Sequence, residues 1–238
     1  MTVIKIKKDL RQYATVKRKK TNEWFFKTGK GEYGEHDRFL GIANPDVRKV
    51  AKKYCDENIV QLQQLIESKY NEERLCALVI LVERFRHKKI AEQEKREVYD
   101  FYVQNLKYVN NWNLVDLSAP HILGEYIAEH KLQQKILNTL ANSDFHWNRR
   151  VCILSTWAFI KRNDFIYTLE YARQFLSDEE DLMHKAVGWM LREVWKRDSY
   201  VCEQFLKDNY DYLPRTTLRY AIERMEELER QKFLKKDF

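Results

Sequence analysis

Two short strings decide the fold: Arg74-Leu75-Cys76-Ala77-Leu78, and Arg150-Val151-Cys152-Ile153-Leu154, which repeats its R-x-C-x-L pattern 76 residues later. The first opens an apolar run in which Leu75, Leu78, Val79 and Val82 fall at i, i+3, i+4 and i+7, the spacing of one helical face. Val187, Met190, Leu191 and Val194 repeat that spacing, and Lys185-Ala186-Val187-Gly188 repeats the basic-then-apolar entry 35 residues after Arg150. Working outward, strongly apolar helices are predicted to begin near 71, 111, 146, 182 and 215, at intervals of 40, 35, 36 and 33 residues. That is the length of a helix pair with its turns, and it lies in the range of HEAT and TPR repeats. A lone pair cannot bury its apolar face, but stacked neighbours can. The expected architecture is an all-α, right-handed α-solenoid of HEAT-like repeats with a concave binding face.

Composition agrees. Six glycines and three prolines in 238 residues are too few for a sandwich, barrel or propeller, which need turn residues every 8–12 positions. Four of the glycines lie between Gly29 and Gly41, so the chain reads as one repeat domain over 1–238: a basic helical head (1–27), a flexible glycine-containing loop (28–44) and helical repeats (45–238). Asn44-Pro45 reads as an N-cap and first-turn proline opening a helix over 46–54. No apolar stretch is long enough for a membrane span, and charges at Lys5, Lys7, Lys8 and Asp9 interrupt what a signal peptide would need, so a cytoplasmic protein is expected. The four cysteines are scattered, which predicts reduced thiols; Cys76 and Cys152 sit in apolar runs, as small buried hydrophobes do.

The net charge of +7 is concentrated: residues 1–30 carry ten Lys or Arg against two acids, including the run Lys17-Arg18-Lys19-Lys20. Such a run is either a solvated face or a phosphate-binding arm. The string Gly29-x-Gly31-x-x-Gly34 matches a dinucleotide fingerprint only superficially. No strand precedes it, and Glu32, Glu35 and Asp37 would repel a pyrophosphate. His121, Glu125 and Glu129 share a helical face but lack a further donor at metal-site spacing, so no metal and no cofactor are expected.

Helical geometry then pairs aromatic and charged residues: Trp112 with Asp116, Trp147 with Arg150, and Lys185 with Trp189 and Arg192. A single Trp is usually core filling, and Trp157 and Trp195 are read that way. A Trp beside a charge at matching repeat positions suits a groove that holds a polyanion and attracts a cation.

At Asn111-Trp112-Asn113-Leu114-Val115-Asp116, Trp147-Asn148-Arg149-Arg150 and Lys185-Ala186-Val187-Gly188-Trp189-Met190-Leu191-Arg192-Glu193, the sequence resembles the AlkD-type DNA alkylation-repair glycosylases, a HEAT-like repeat family. Phe39-Leu40-Gly41-Ile42, Pro45 and Arg48 resemble its early signature, and the likeness covers roughly residues 25–225. It implies hydrolytic excision of positively charged N3- or N7-alkylated purines from double-stranded DNA, captured without full extrusion of the base and with no obligate protein partner. Carried over, it implies that Asp116 is the catalytic carboxylate, Trp112 and Trp189 are aromatic walls beside the lesion, and Arg150 is a phosphate-contacting arginine. Arg149, Lys185, Arg192, Lys27 and Lys30 are expected to support DNA binding. The 28–38 segment departs from the pattern, so Phe25, Phe26 and Tyr33 receive no role. The alternatives are a non-catalytic DNA-binding solenoid that recognises distorted DNA and a protein–protein scaffold.

Overall fold

The computed structural model describes residues 2–238, with the side chains of all but 133 and 134. Its helices are α1 (Thr2–Arg11), α2 (Val16–Phe25), α3 (Asn44–Lys52), α4 (Gln63–Ile66), α5 (Asn71–Phe85), α6 (Glu92–Gln104), α7 (Trp112–Ser118), α8 (Glu125–His130), α9 (Gln133–Ala141), α10 (His146–Ser155), α11 (Trp157–Ile160), α12 (Ile166–Gln174), α13 (Asp181–Trp195), α14 (Ser199–Asp208), α15 (Arg215–Ala221) and α16 (Glu227–Lys235). The class is all-α. Among the described residues β-pairing is confined to one isolated bridge, Arg38 with Tyr70. The expected helix starts near 71, 111, 146, 182 and 215 correspond to α5, α7, α10, α13 and α15. No described helix is long and apolar enough to cross a membrane.

The chain forms two compact units, one ending at Tyr126 and the other running from Ile127 to Phe238. In the first, α5 is the centre and packs against α3, α4, α6 and α7. Every residue from Leu75 to Val82 is buried, as expected of a helix that is apolar all round. In the second, α13 packs against α10, α12, α14 and α15. Its buried stripe, Met183, Ala186, Val187, Met190, Leu191 and Val194, keeps strict helical spacing. Gly188 lets α15 close in: a Cβ there would lie 2.5 Å from both the Thr217 carbonyl oxygen and Tyr220 Cβ.

Three local readings are corrected. The helix after the glycine-containing loop starts at Asn44, which lies inside it with Pro45; Ala43 holds the cap position without a side-chain hydrogen bond. The loop itself is tied down: the Gly29 and Gly31 N–H groups donate to the carboxylates of Glu32 and Glu35, each at 2.7 Å. The amides of Gly29 and Gly31 are therefore satisfied by the loop's own acids. Finally, α7 does not run on as a regular α-helix. Pro120 supplies no N–H, residues Pro120–Gly124 form a π-turn, and the Gly124 N–H reaches five residues back to the Ala119 carbonyl at 2.9 Å. The turn shifts the register on which a shared face for His121, Glu125 and Glu129 rested.

Candidate functional site

The site residues of the first unit are set by four consecutive polar residues, Asn71-Glu72-Glu73-Arg74, at the start of α5, all of them buried. Together they fasten three pieces of chain. Glu72 accepts hydrogen bonds from the Leu40, Gly41 and Ile42 N–H groups at 2.9, 2.9 and 3.2 Å, and from Asn22 Nδ2 at 3.2 Å. That grip requires the left-handed turn at Gly41 (φ +89°), where a Cβ would lie 2.3 Å from the Thr15 carbonyl oxygen. Glu73 pairs with Lys7 (3.1 Å) and Arg11 (2.9 Å), so part of the basic head is spent on docking α1, whose Val3, Ile6 and Leu10 are buried.

Asn71 and Arg74 converge on Asp37, which is 4% exposed. The Arg74 guanidinium pairs with one carboxylate oxygen. Asn71 Nδ2 and Asn111 Nδ2 donate to the other, at 2.9 and 2.6 Å. Asn113 Nδ2 in turn donates to Asn71 Oδ1 at 2.8 Å. A buried carboxylate is tolerable only when paired and hydrogen-bonded in this way. Since Asn111 and Asn113 flank Trp112, the network fixes the first turn of α7.

Trp112 and Asp116 follow one helical turn apart on α7, both half-buried. The Trp112 ring stacks on Phe26 with centroids 5.1 Å apart and 15° between planes, and meets Phe25 edge-on at 5.8 Å. Phe26 stacks in turn on buried Phe39 at 4.8 Å. Phe25 and Phe26, without a role in the sequence reading, thus touch the candidate tryptophan. Lys27 and Lys30 follow them on the loop and are exposed.

In the second unit, the candidate residues are engaged by their own neighbours. Trp147 is 1% exposed and belongs to the core, so the groove-facing Trp beside a charge that its spacing from Arg150 suggested is corrected: position 147 faces inward as the apolar entry of α10. Arg150 is 5% exposed, and its guanidinium donates to the Leu182 carbonyl. Arg149 grips Asp178 through Nε (2.6 Å) and Nη2 (3.2 Å), and donates to the Ser143 and Asp144 carbonyls through Nη1. That bidentate clamp fixes the loop before α10.

On α13, Lys185 pairs with Asp181 at 2.6 Å, and this pairing draws the Asp181 carboxyl below its ordinary range. Trp189 is half-buried and donates its indole N–H to Glu193 at 3.2 Å. Arg192 pairs with Glu223 and lies 3.9 Å from Glu193. The two tryptophans read as core filling are only half-buried: the Trp195 indole N–H donates to Glu203 at 3.1 Å, and Lys161 lies over the Trp157 ring at 5.3 Å.

The cysteines offer no activated nucleophile. Burial pushes the Cys76 and Cys202 thiols up to about 12 and Cys152 well above its ordinary value, while Cys55, half-buried, is also raised.

The chain belongs to the DNA alkylation repair enzyme family, whose model matches residues 6–225, and it therefore functions in DNA alkylation repair. No curated protein matches it. A solved structure described as a predicted DNA alkylation repair enzyme from Enterococcus faecalis shares the fold, with a TM-score of 0.69, 17% identity, and coverage of 90% of this chain and 97% of that one.

Proposed function

We propose that the protein is a DNA glycosylase that removes positively charged N3- or N7-alkylated purines from duplex DNA by hydrolysis. The observation that carries this reading is the Trp112–Asp116 pair, half-buried on one face of α7 and fixed by the Asp37 network. Alkylation places a positive charge on the purine. When the C1′–N bond breaks, its electron pair returns to the ring and the base leaves neutral, with little need for acid assistance. The sugar is left with oxocarbenium character. A carboxylate is the group that stabilises such charge and orients water. Water then forms the new C1′–O bond and gives up one proton. In this reading Asp116 faces the sugar. An indole beside a cationic base or sugar contributes about 0.5–2 kcal/mol, the role assigned to Trp112, and Trp189 is assigned a contact of the same kind with DNA.

Lys185, Arg192, Lys27 and Lys30 are assigned to the phosphate backbone, and Arg150 to anchoring it. Lys185 and Arg192 exchange an intramolecular carboxylate for a phosphate when they bind. The test is base release from methylated duplex DNA. Wild type is expected to release 7-methylguanine or 3-methyladenine, and Asp116→Asn to lose about a hundredfold or more in rate while still binding. Full activity in that variant would refute the assignment. Binding without any base release by wild type would favour the non-catalytic reading.

A further inference from the structure

Helix α2 has no buried residue, yet it is firmly held. Thr15 caps it by accepting from the Arg18 N–H at 3.2 Å, Asn22 is bound to Glu72, and Phe26, just beyond its last turn, is buried against Phe39 and Trp112. Its outer face is therefore ordered in advance.

Positions 17, 20, 21 and 24 recur at i, i+3, i+4 and i+7, so Lys17, Lys20, Thr21 and Trp24 form one exposed stripe. The helix's acid, Glu23, pairs with Lys19, at 3.8 Å, off that stripe. Trp24 is 80% exposed and its neighbour Phe25 54%. The two rings, with Lys27, Thr28, Glu23 and Glu32, line a cleft of about 600 Å³, ample for a nucleobase. A fixed row of cations ending in a bare indole beside a cleft is the combination that binds an unstacked nucleic-acid strand: charges follow the phosphates, and the ring takes a base by its π-face.

We infer that the outer face of α2 is a binding surface for DNA in which a base has left the stack, with Lys17 and Lys20 on the backbone and Trp24 stacked on the unpaired base. The inference stands on family membership and on the first unit alone, independently of whether Asp116 is catalytic. It separates this surface from Trp112, which Phe26 already covers on one face.

The experiment compares, by fluorescence anisotropy, the full-length protein's affinity for an unmethylated duplex carrying one unpaired nucleotide and for the same duplex fully paired. Wild type is expected to prefer the bulged duplex. Trp24→Ala is expected to lose about tenfold on the bulged duplex and almost nothing on the paired one, while Trp24→Phe keeps most of the preference. Replacing Lys17 and Lys20 by Gln is expected to flatten the slope of log affinity against log salt by about 2. Trp24 is 80% exposed and has little buried surface to lose, so folding is not at stake, and circular dichroism checks it. A Trp24→Ala protein that keeps the wild-type ratio of the two affinities overturns the inference. Asp116→Asn is expected to keep the bulge preference, which distinguishes failure here from failure of the glycosylase reading.

Discussion

Helices α5 and α13 each span fifteen residues at the centre of their units, yet they handle polar residues in opposite ways. The first turn of α5 buries Asn71, Glu72, Glu73 and Arg74 and uses them to tie down α1, the 37–42 segment and the start of α7. On α13, Asp181 is exposed and Lys185 and Arg192 half-exposed, and each is paired with a surface partner. Buried pairs are costly to break, because removing one partner strands the other in low dielectric. Exposed pairs are screened by water and are worth little. The first unit therefore uses its polar residues for position, fixing Trp112 and Asp116 before any ligand arrives. Helix α13 keeps its charges in surface pairs that cost little to break.

The largest effect that would break this comparison lies at Asp37. Asp37→Ala leaves Arg74, Asn71 and Asn111 without their shared acceptor and is expected to cost about 3–5 kcal/mol, measured by denaturant unfolding. A loss below about 1 kcal/mol would mean that the network does not hold α7. Next comes Gly188→Ala. Its methyl meets backbone at Thr217, which cannot swing aside, so about 1–3 kcal/mol should be lost. An unchanged midpoint would show that α13 and α15 have room between them.

Smaller still is Lys185→Gln, expected to change stability at neutral pH by less than about 0.5 kcal/mol. The same variant is expected to flatten the salt dependence of DNA binding by about 0.9 in slope. Lys185 holds the Asp181 carboxyl below its ordinary value of 3.8. The pair's contribution is thus fully present above pH 3.8 and fades as pH falls further, so wild type and variant should converge in stability on acidification through that range. A gap that stays constant through that range would show that the pair carries no stability. The smallest effect is chemical. With Cys76 and Cys202 raised to about 12, and Cys152 buried and raised well above its ordinary value, a thiol reagent at pH 8 should modify the native protein at Cys55 first, as mass mapping would reveal.

Much of this was legible in the chain. The apolar periodicity of Leu75–Val82 and Val187–Val194 predicts α5 and α13, because burying an apolar face is a local, periodic requirement. The pairing of Trp112 with Asp116 follows from helix geometry alone. Trp147 shows the limit: its spacing from Arg150 copies that of the other pairs, but spacing does not say which face meets the core. Glu72 and Glu73 were hidden for a different reason. Acids in a first turn are common simply because they suit the helix dipole, so their presence gives no hint of distant partners. Asp37 looked like one more loop acid, since its ligands come from Asn71, Arg74 and Asn111, far along the chain.

The sequence by itself determined that the protein is helical, where its principal apolar helices begin, that its positive charge gathers at one end, and which family it resembles. Those properties are periodic or additive along the chain. Only the tertiary structure decided that Asp37 and Glu72 are buried anchors, that Trp147 is core, that Phe26 backs Trp112, and that Trp24 is left bare. Each of these depends on which residues meet across tens of positions, and burial and pairing are properties of that meeting.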